Sequence, residues 1–260
     1  VSEPVRFVFA SDSHGDMVCK DSMAALMQYI AFFKPNLVIA GGDQYDFRSL
    51  RQNASKGETG QSLKEDIKAG NEFMRQLGRA AGKKARKVWL PGNHEARVHH
   101  IMETETNALL VERVESVWKE VETNARCYGF KEILPYHAEE GILSVGPGRW
   151  GHGYAFGAGS TVKQGLHYAP EGGFWMAGHD HTLAQVNLSK FHGGVAFSAG
   201  CLCDIPRQRY AGTRMMTSRW GNGFGAGIID GDDYKCWLVH RVGRRWIMPT
   251  TVNFWDPRAK

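Results

Sequence analysis

An α/β fold is what this chain predicts, on three observations. Short continuous apolar runs bounded by Gly and Pro alternate with segments of helical period through the first half. From Gly141 onward the pattern turns β-rich, with a hairpin signal at Asp230-Gly231. Short polar blocks sit directly after the apolar runs, where open α/β sheets hold ligands, beyond the carboxyl ends of their strands.

The elements follow in order. Val5 to Ala10 reads as a buried strand, and a helix is expected from Met17 to Phe33. Leu37 to Ala40 is a second strand, after Lys34-Pro35. Ser62 to Ala81 places Leu63, Ile67, Gly70, Met74 and Leu77 at helical spacing. Val88 to Leu90 is a third strand. A helix near Asn107 to Glu122 carries the stripe Leu110, Val114, Val117 and Val121, which reads as core. A strand is expected at Gly141 to Val145, a mobile surface loop between Gly151 and Gly165, and a strand at Phe174 to Ala177. Strands around Gly227 to Ile229 and from Lys235 to Val242 close the chain.

Composition narrows the class. At 260 residues, with 42% apolar and 23% charged side chains, the chain can bury one sizeable core, and residues 1–260 are read as a single domain. No run approaches the ~20 apolar residues of a membrane span. Val1-Ser2-Glu3-Pro4 leads into a strand without a charged and then apolar leader, so a cytoplasmic setting is expected. The five cysteines are odd in number and scattered, which suits reduced thiols; Cys201-x-Cys203 has too few partners for a zinc ribbon. A net charge of +5 is compatible with a polyanionic substrate without requiring one. The basic run Lys83 to Lys87 either complements a helix end or contacts a phosphate backbone.

The polar blocks carry the function. In order they are Asp12-Ser13-His14, Gly42-Asp43-Gln44-Tyr45-Asp46, Gly92-Asn93-His94-Glu95, Gly151-His152 and Gly178-His179-Asp180-His181. Together they supply carboxylates, imidazoles and one amide, the donor types of a two-metal site. Residues i and i+2 just past a strand end can both turn inward, which serves Asp12 with His14 and His179 with His181. Two divalent ions ~3.5–4 Å apart bind phosphoryl oxygens, acidify a water and orient its attack. Such donors without thiolate suit Mn, Fe, Zn, Co or Ni, with Mn expected to serve in assay, and argue against copper(I) or a structural Cys-zinc site.

This order of blocks, D-x-H, G-D-x-x-D, G-N-H-[D/E], H, G-H-x-H, resembles the calcineurin-like metallophosphoesterases over roughly residues 5 to 200. Ser198 to Leu202 and Trp220 to Phe224 look like members found in phage and bacterial genomes. The resemblance implies a four-layer α/β/β/α sandwich of two facing mixed sheets flanked by helices. It implies Asp43 as a carboxylate bridging two divalent metals. Asp12, His14 and His181 complete one shell; Asn93, His152 and His179 complete the other. His137 and His167 are rivals for the place of His152. The resemblance makes His94 the general acid of a hydrolysis by a metal-bridging hydroxide, and Asp46 the carboxylate that orients His94 and holds it protonated. Glu95 is structural support, and Arg97 is a candidate to face substrate.

Protein phosphatases of the family carry an arginine where this chain has Phe47. Phe47 is therefore expected to wall the second ester group of a phosphodiester, with a nucleotide or nucleic acid as substrate and no membrane partner. Tyr45, Phe47 and Trp150 could stack on a base or simply pack. The alternatives are a phosphomonoesterase or protein phosphatase on the same site, a repair-type nuclease, and a non-catalytic metal-binding scaffold. Nothing in the sequence sets an oligomeric state.

Overall fold

The computed structural model describes residues 3–52, 62–208 and 219–249, and in them two mixed sheets stack face to face between helices. The first sheet has the order β12 (Arg245–Ile247), β11 (Asp233–Val242), β10 (Gly223–Asp230), β1 (Val5–Ala10), β2 (Leu37–Ala40), β3 (Arg86–Trp89), β4 (Glu132–Ile133). Strands β1 to β4 run parallel, and β10 joins β1 antiparallel. The second sheet has the order β5 (Leu143–Val145), β6 (Gly148–Gly151), β7 (Phe174–Ala177), β9 (Val195–Ala199), β8 (Leu183–Asn187), with β6, β7 and β9 parallel. The helices are α1 (Lys20–Phe33), α2 (Leu63–Ala81), α3 (Ala96–Thr104), α4 (Ala108–Cys127) and α5 (Ser160–Tyr168).

Strand alternation divides the core into three layers of packing. Phe7 and Phe9 of β1 face the second sheet and meet Trp150, Phe174 and Met176, whereas Val8 and Ala10 face Leu26, Tyr29 and Ile30 of α1. Phe7 lies 4.9 Å edge-on from Trp150 and stacks on Phe174. Each such fully buried aromatic contributes about 1.5–3 kcal/mol of burial. Trp175 and Ala177, on the outer face of the second sheet, pack with Ala196 and with Tyr168 of α5. Gly165 lets α5 come close: a Cβ there would stand 2.5 Å from that of Ala196. The result is the expected α/β/β/α sandwich.

The differences from expectation are local. Helix α1 begins at Lys20, because a 3-10 turn at Gly15–Met17 follows the left-handed His14. Leu110 is 40% exposed, while Val114 and Val121 of the same stripe are core. The segment expected to be a surface loop up to Gly165 instead turns into α5 at Ser160. Gly159 in the left-handed region starts it, and Gln164 ties the preceding loop down through Tyr154 N at 2.8 Å and the Ala155 carbonyl at 3.2 Å. In the basic run, Lys87 binds the Gly82 carbonyl past the end of α2, and Arg86 pairs with Glu132, so both serve the fold. No helix of the described residues is long and apolar enough to cross a membrane.

Candidate metal centre

The five polar blocks meet at one edge of the sandwich. Block one follows β1, block two follows β2 and block three follows β3; His152 follows β6, and His179 and His181 follow β7. Asp12, His14, Asp43, His179 and His181 all have φ between 53° and 70°. Left-handed backbone costs a non-glycine residue about 1 kcal/mol or more, and it concentrates where side chains must be aimed. Here it turns residues i and i+2 into the same space. Asp12 N donates to the Gly42 carbonyl and His14 N to the Asp43 carbonyl, both at 2.9 Å, so the first two loops stay paired beyond their strands.

Two donor clusters result. In one, His181 Nε2 lies 3.1 Å from Asp12 Oδ1 and 3.0 Å from His14 Nε2. In the other, His152 Nε2 lies 3.4 Å from Asp43 Oδ2, and Asn93 Oδ1 is met by His152 Nε2 at 3.0 Å and His179 Nδ1 at 2.8 Å. The sets Asp12–His14–His181 and Asp43–His152–His179 each converge closely enough to hold a metal ion. His152 Nδ1 donates to the Gly41 carbonyl at 2.8 Å, which leaves Nε2 as the donor atom facing the cluster. Its rivals are elsewhere: His137 and His167 are both exposed.

The donors fit divalent ions on chemistry as well as position. Two imidazole nitrogens 3.0 Å apart beside a wholly buried carboxylate form a set of nitrogen and oxygen donors that suits a divalent cation. Burial alone would raise Asp12, but His181 outweighs it and holds the carboxyl at about 2. Asp43 is likewise held well below the ordinary carboxylate range, with His152 and His94 overcoming its burial. His14 is pushed up to about 10 and His152 to about 9, the carboxylates overriding desolvation in each. His179 falls to about 4, through burial and the neighbouring His152. The field of the buried carboxylates favours positive charge at the clusters.

Around them lies a supporting layer. Asp46 Oδ1 stands 2.6 Å from His94 Nδ1 and 3.2 Å from His14 Nδ1, and those bonds outweigh burial to keep Asp46 well below the ordinary range. Burial outweighs the pull of Asp43 and of the Asp46 hydrogen bond on His94, and the imidazole is lowered, not held up as expected. Glu95 accepts four backbone N–H bonds, from Asp43 at 2.9 Å, Gln44 at 2.8 Å, Tyr45 at 3.0 Å and Gly92 at 2.7 Å, clasping block two to block three. Burial, then Asp43, pushes Glu95 up to about 7. Asp66 of α2 accepts from Asp46 N at 3.0 Å and Phe47 N at 2.6 Å and fixes the next turn. Arg97 donates to the Asp46 carbonyl at 2.7 Å, beside His94.

Phe47 departs from expectation. It has no solvent exposure and stacks on Tyr45 in the core under the first sheet, because the left-handed turn at position 47, held by Asp66, directs it inward. It offers substrate no wall. Tyr45 and Trp150 are equally buried. The aromatic residues beside the site are others. A cleft of about 900 Å³ opens next to His179 and is lined by Phe156, Val162, Leu183, Arg219 and Trp220. Phe156 is 83% exposed with its ring 6.3 Å from that of His179, and Trp220 stands edge-on to His181 at 4.2 Å. Phe156 lies in a stretch read as loop, and Trp220 is 39 residues from His181 in sequence, so spacing along the chain placed neither beside the site.

The family model for calcineurin-like phosphoesterases matches residues 5–183, a span that contains all five blocks. No curated protein matches the chain.

Proposed function

Because the chain belongs to the calcineurin-like phosphoesterase family, hydrolases of phosphate esters, we propose that it is a metal-dependent phosphodiesterase acting on a nucleotide or nucleic acid. The observation that carries this is the cleft beside His179: it gives room, an exposed aromatic ring at Phe156 and a cation at Arg219 for a second ester group. Arg48, the nearest arginine after block two, is committed to Asp46 and Asp16, which leaves it poorly placed to clamp the doubly charged phosphate of a monoester.

Asp12, His14 and His181 would hold one divalent ion and Asn93, His152 and His179 the other, with Asp43 shared between them. Bound there, the ions supply Lewis-acid stabilisation of the phosphoryl charge and acidify water. The protein's own groups do the rest. Asp46 ties His94 through Nδ1, so Nε2 is the ring nitrogen presented to the site, 3.6 Å from Asp43 Oδ2. From Nε2 a proton passes to the departing ester oxygen. The anionic substrate and Asp46 both favour the imidazolium that this step requires, against the burial that disfavours it. Glu95 and Asp66 hold the loops still. Residues 1–260 act as one domain, and manganese serves the site in assay.

The test compares bis(p-nitrophenyl) phosphate with p-nitrophenyl phosphate at equal metal loading. A kcat/KM ratio of about tenfold or more for the diester, ~1.4 kcal/mol of differential transition-state binding, is expected. A monoester preference would refute the diester reading. Phe156→Ala should cost the p-nitrophenyl ester of thymidine 5′-phosphate about tenfold, within the range for one stacked base, and methyl p-nitrophenyl phosphate much less. Equal losses on both would remove the nucleotide from the proposal.

A further inference from the structure

A third convergence of donors lies against the first cluster and joins to His181 two cysteines that hydrolysis does not use. Cys201 and Cys203 follow β9, are wholly buried as free thiols, and bring their sulfurs to 3.6 Å. A ring nitrogen of His181 and both sulfurs lie within 4.8 Å of one another. The pair is built in from two sides: Cys203 bridges Val18 and Cys201 bridges Asn222. The Asn222 amide donates to the carbonyls of both cysteines, at 3.3 Å to Cys201 and 2.8 Å to Cys203, and so fixes their spacing.

The spacing has a chemical meaning. Two thiolates on one tetrahedral zinc, each at about 2.3 Å, stand roughly 3.8 Å apart, close to the separation seen here. His181 is also uncommitted on one side. Its Nε2 faces Asp12 and His14, but its Nδ1 is buried and has no hydrogen-bond partner among the described residues. A metal-bound histidine is ordinarily held by a partner on its other nitrogen, and this one is not.

We propose that His181, Cys201 and Cys203 form a site for a thiophilic divalent ion, zinc or cadmium, adjoining the hard-donor centre and sharing His181 with it. Binding replaces two S–H bonds by two metal–sulfur bonds and releases two protons to solvent, while neutral His181 gives one ring nitrogen to the ion and keeps its proton on the other. Manganese, which prefers oxygen and nitrogen, stays out. Zinc and manganese would then load this protein differently: zinc enters the sulfur site and draws on a histidine that the Asp12–His14 cluster also needs. The inference concerns metal binding alone and stands whether or not the diester reading does.

X-ray absorption at the zinc edge tests it on the intact wild-type protein. Zinc-loaded protein should show a sulfur scattering shell at about 2.3 Å, and cadmium-113 NMR of the cadmium form should show a sulfur-shifted resonance. Cys201→Ser and Cys203→Ser should each weaken the shell, the double variant should lose it, and bound zinc should fall by one per chain. Nitrogen and oxygen scatterers alone in saturated wild type would overturn the proposal, with no variant needing to fold. A sulfur shell that survives in the double variant would overturn it too, by assigning the zinc to Cys19, Cys127 or Cys236.

Discussion

Replacing Glu95 by glutamine isolates the part of the site that no ligand list contains. The side chain keeps its size and loses one acceptor. In the wild type, Oε1 takes the N–H groups of Gln44 and Tyr45, and Oε2 takes those of Asp43 and Gly92. Whichever way the amide is turned, its NH2 faces two backbone donors, and two charge-assisted bonds are lost in a fully buried place. At ~1.5–3 kcal/mol for each hydrogen bond to a charged group, the loss is about 3–6 kcal/mol. For a chain of this size that lowers Tm by roughly 10 °C or more. The comparison is made by circular dichroism at a pH above the value of about 7 to which burial pushes Glu95, so that the wild type is a carboxylate. Metal content, measured in parallel, should fall because the clasp holds the Asp43 loop. A change in Tm below ~3 °C with full metal content would refute the clasp and leave Glu95 as a spectator.

Three further outcomes are expected. Asp43→Asn should abolish hydrolysis and lower bound metal more than any other single ligand change if, as proposed, one carboxylate serves both shells; full metal occupancy in an active variant, by elemental analysis, would overturn its shared role. His94→Ala should retain both metals and slow esters with alkoxide-like leaving groups by ~10²–10⁴-fold, with nitrophenolate esters suffering less. Equal losses on the two ester types would make His94 a positioning residue only. Stripping divalent ions with a chelator should lower Tm by roughly 5–10 °C, the equivalent of about 2.7 kcal/mol of binding at a hundredfold excess over Kd, and manganese should restore it. An unchanged Tm would count against ions at the buried carboxylates.

The sequence by itself carried the donors and the strands that deliver them. Val5 to Ala10, Leu37 to Ala40 and Phe174 to Ala177 were legible because a buried strand is a short apolar run, and each metal-type block follows such a run directly. The i, i+2 pairing of Asp12 with His14 and of His179 with His181 was legible for the same local reason. What it could not carry were relations across the chain. That His152, and not His137 or His167, joins Asp43 depends on β6 lying beside β7 in the second sheet. That Phe47 turns into the core depends on Asp66, 19 residues away on α2, capturing its N–H. The burial that lowers His94 despite Asp46 is a property of the packed edge, since desolvation has no sequence signature. Helix α5 was missed because it is short and starts from glycine, and it is held by contacts with β7 and β9 rather than by its own propensity. Cys201 and Cys203 looked like scattered thiols until the second sheet and Asn222 set them against His181, 20 and 22 residues earlier in the chain, because metal affinity depends on convergence in space.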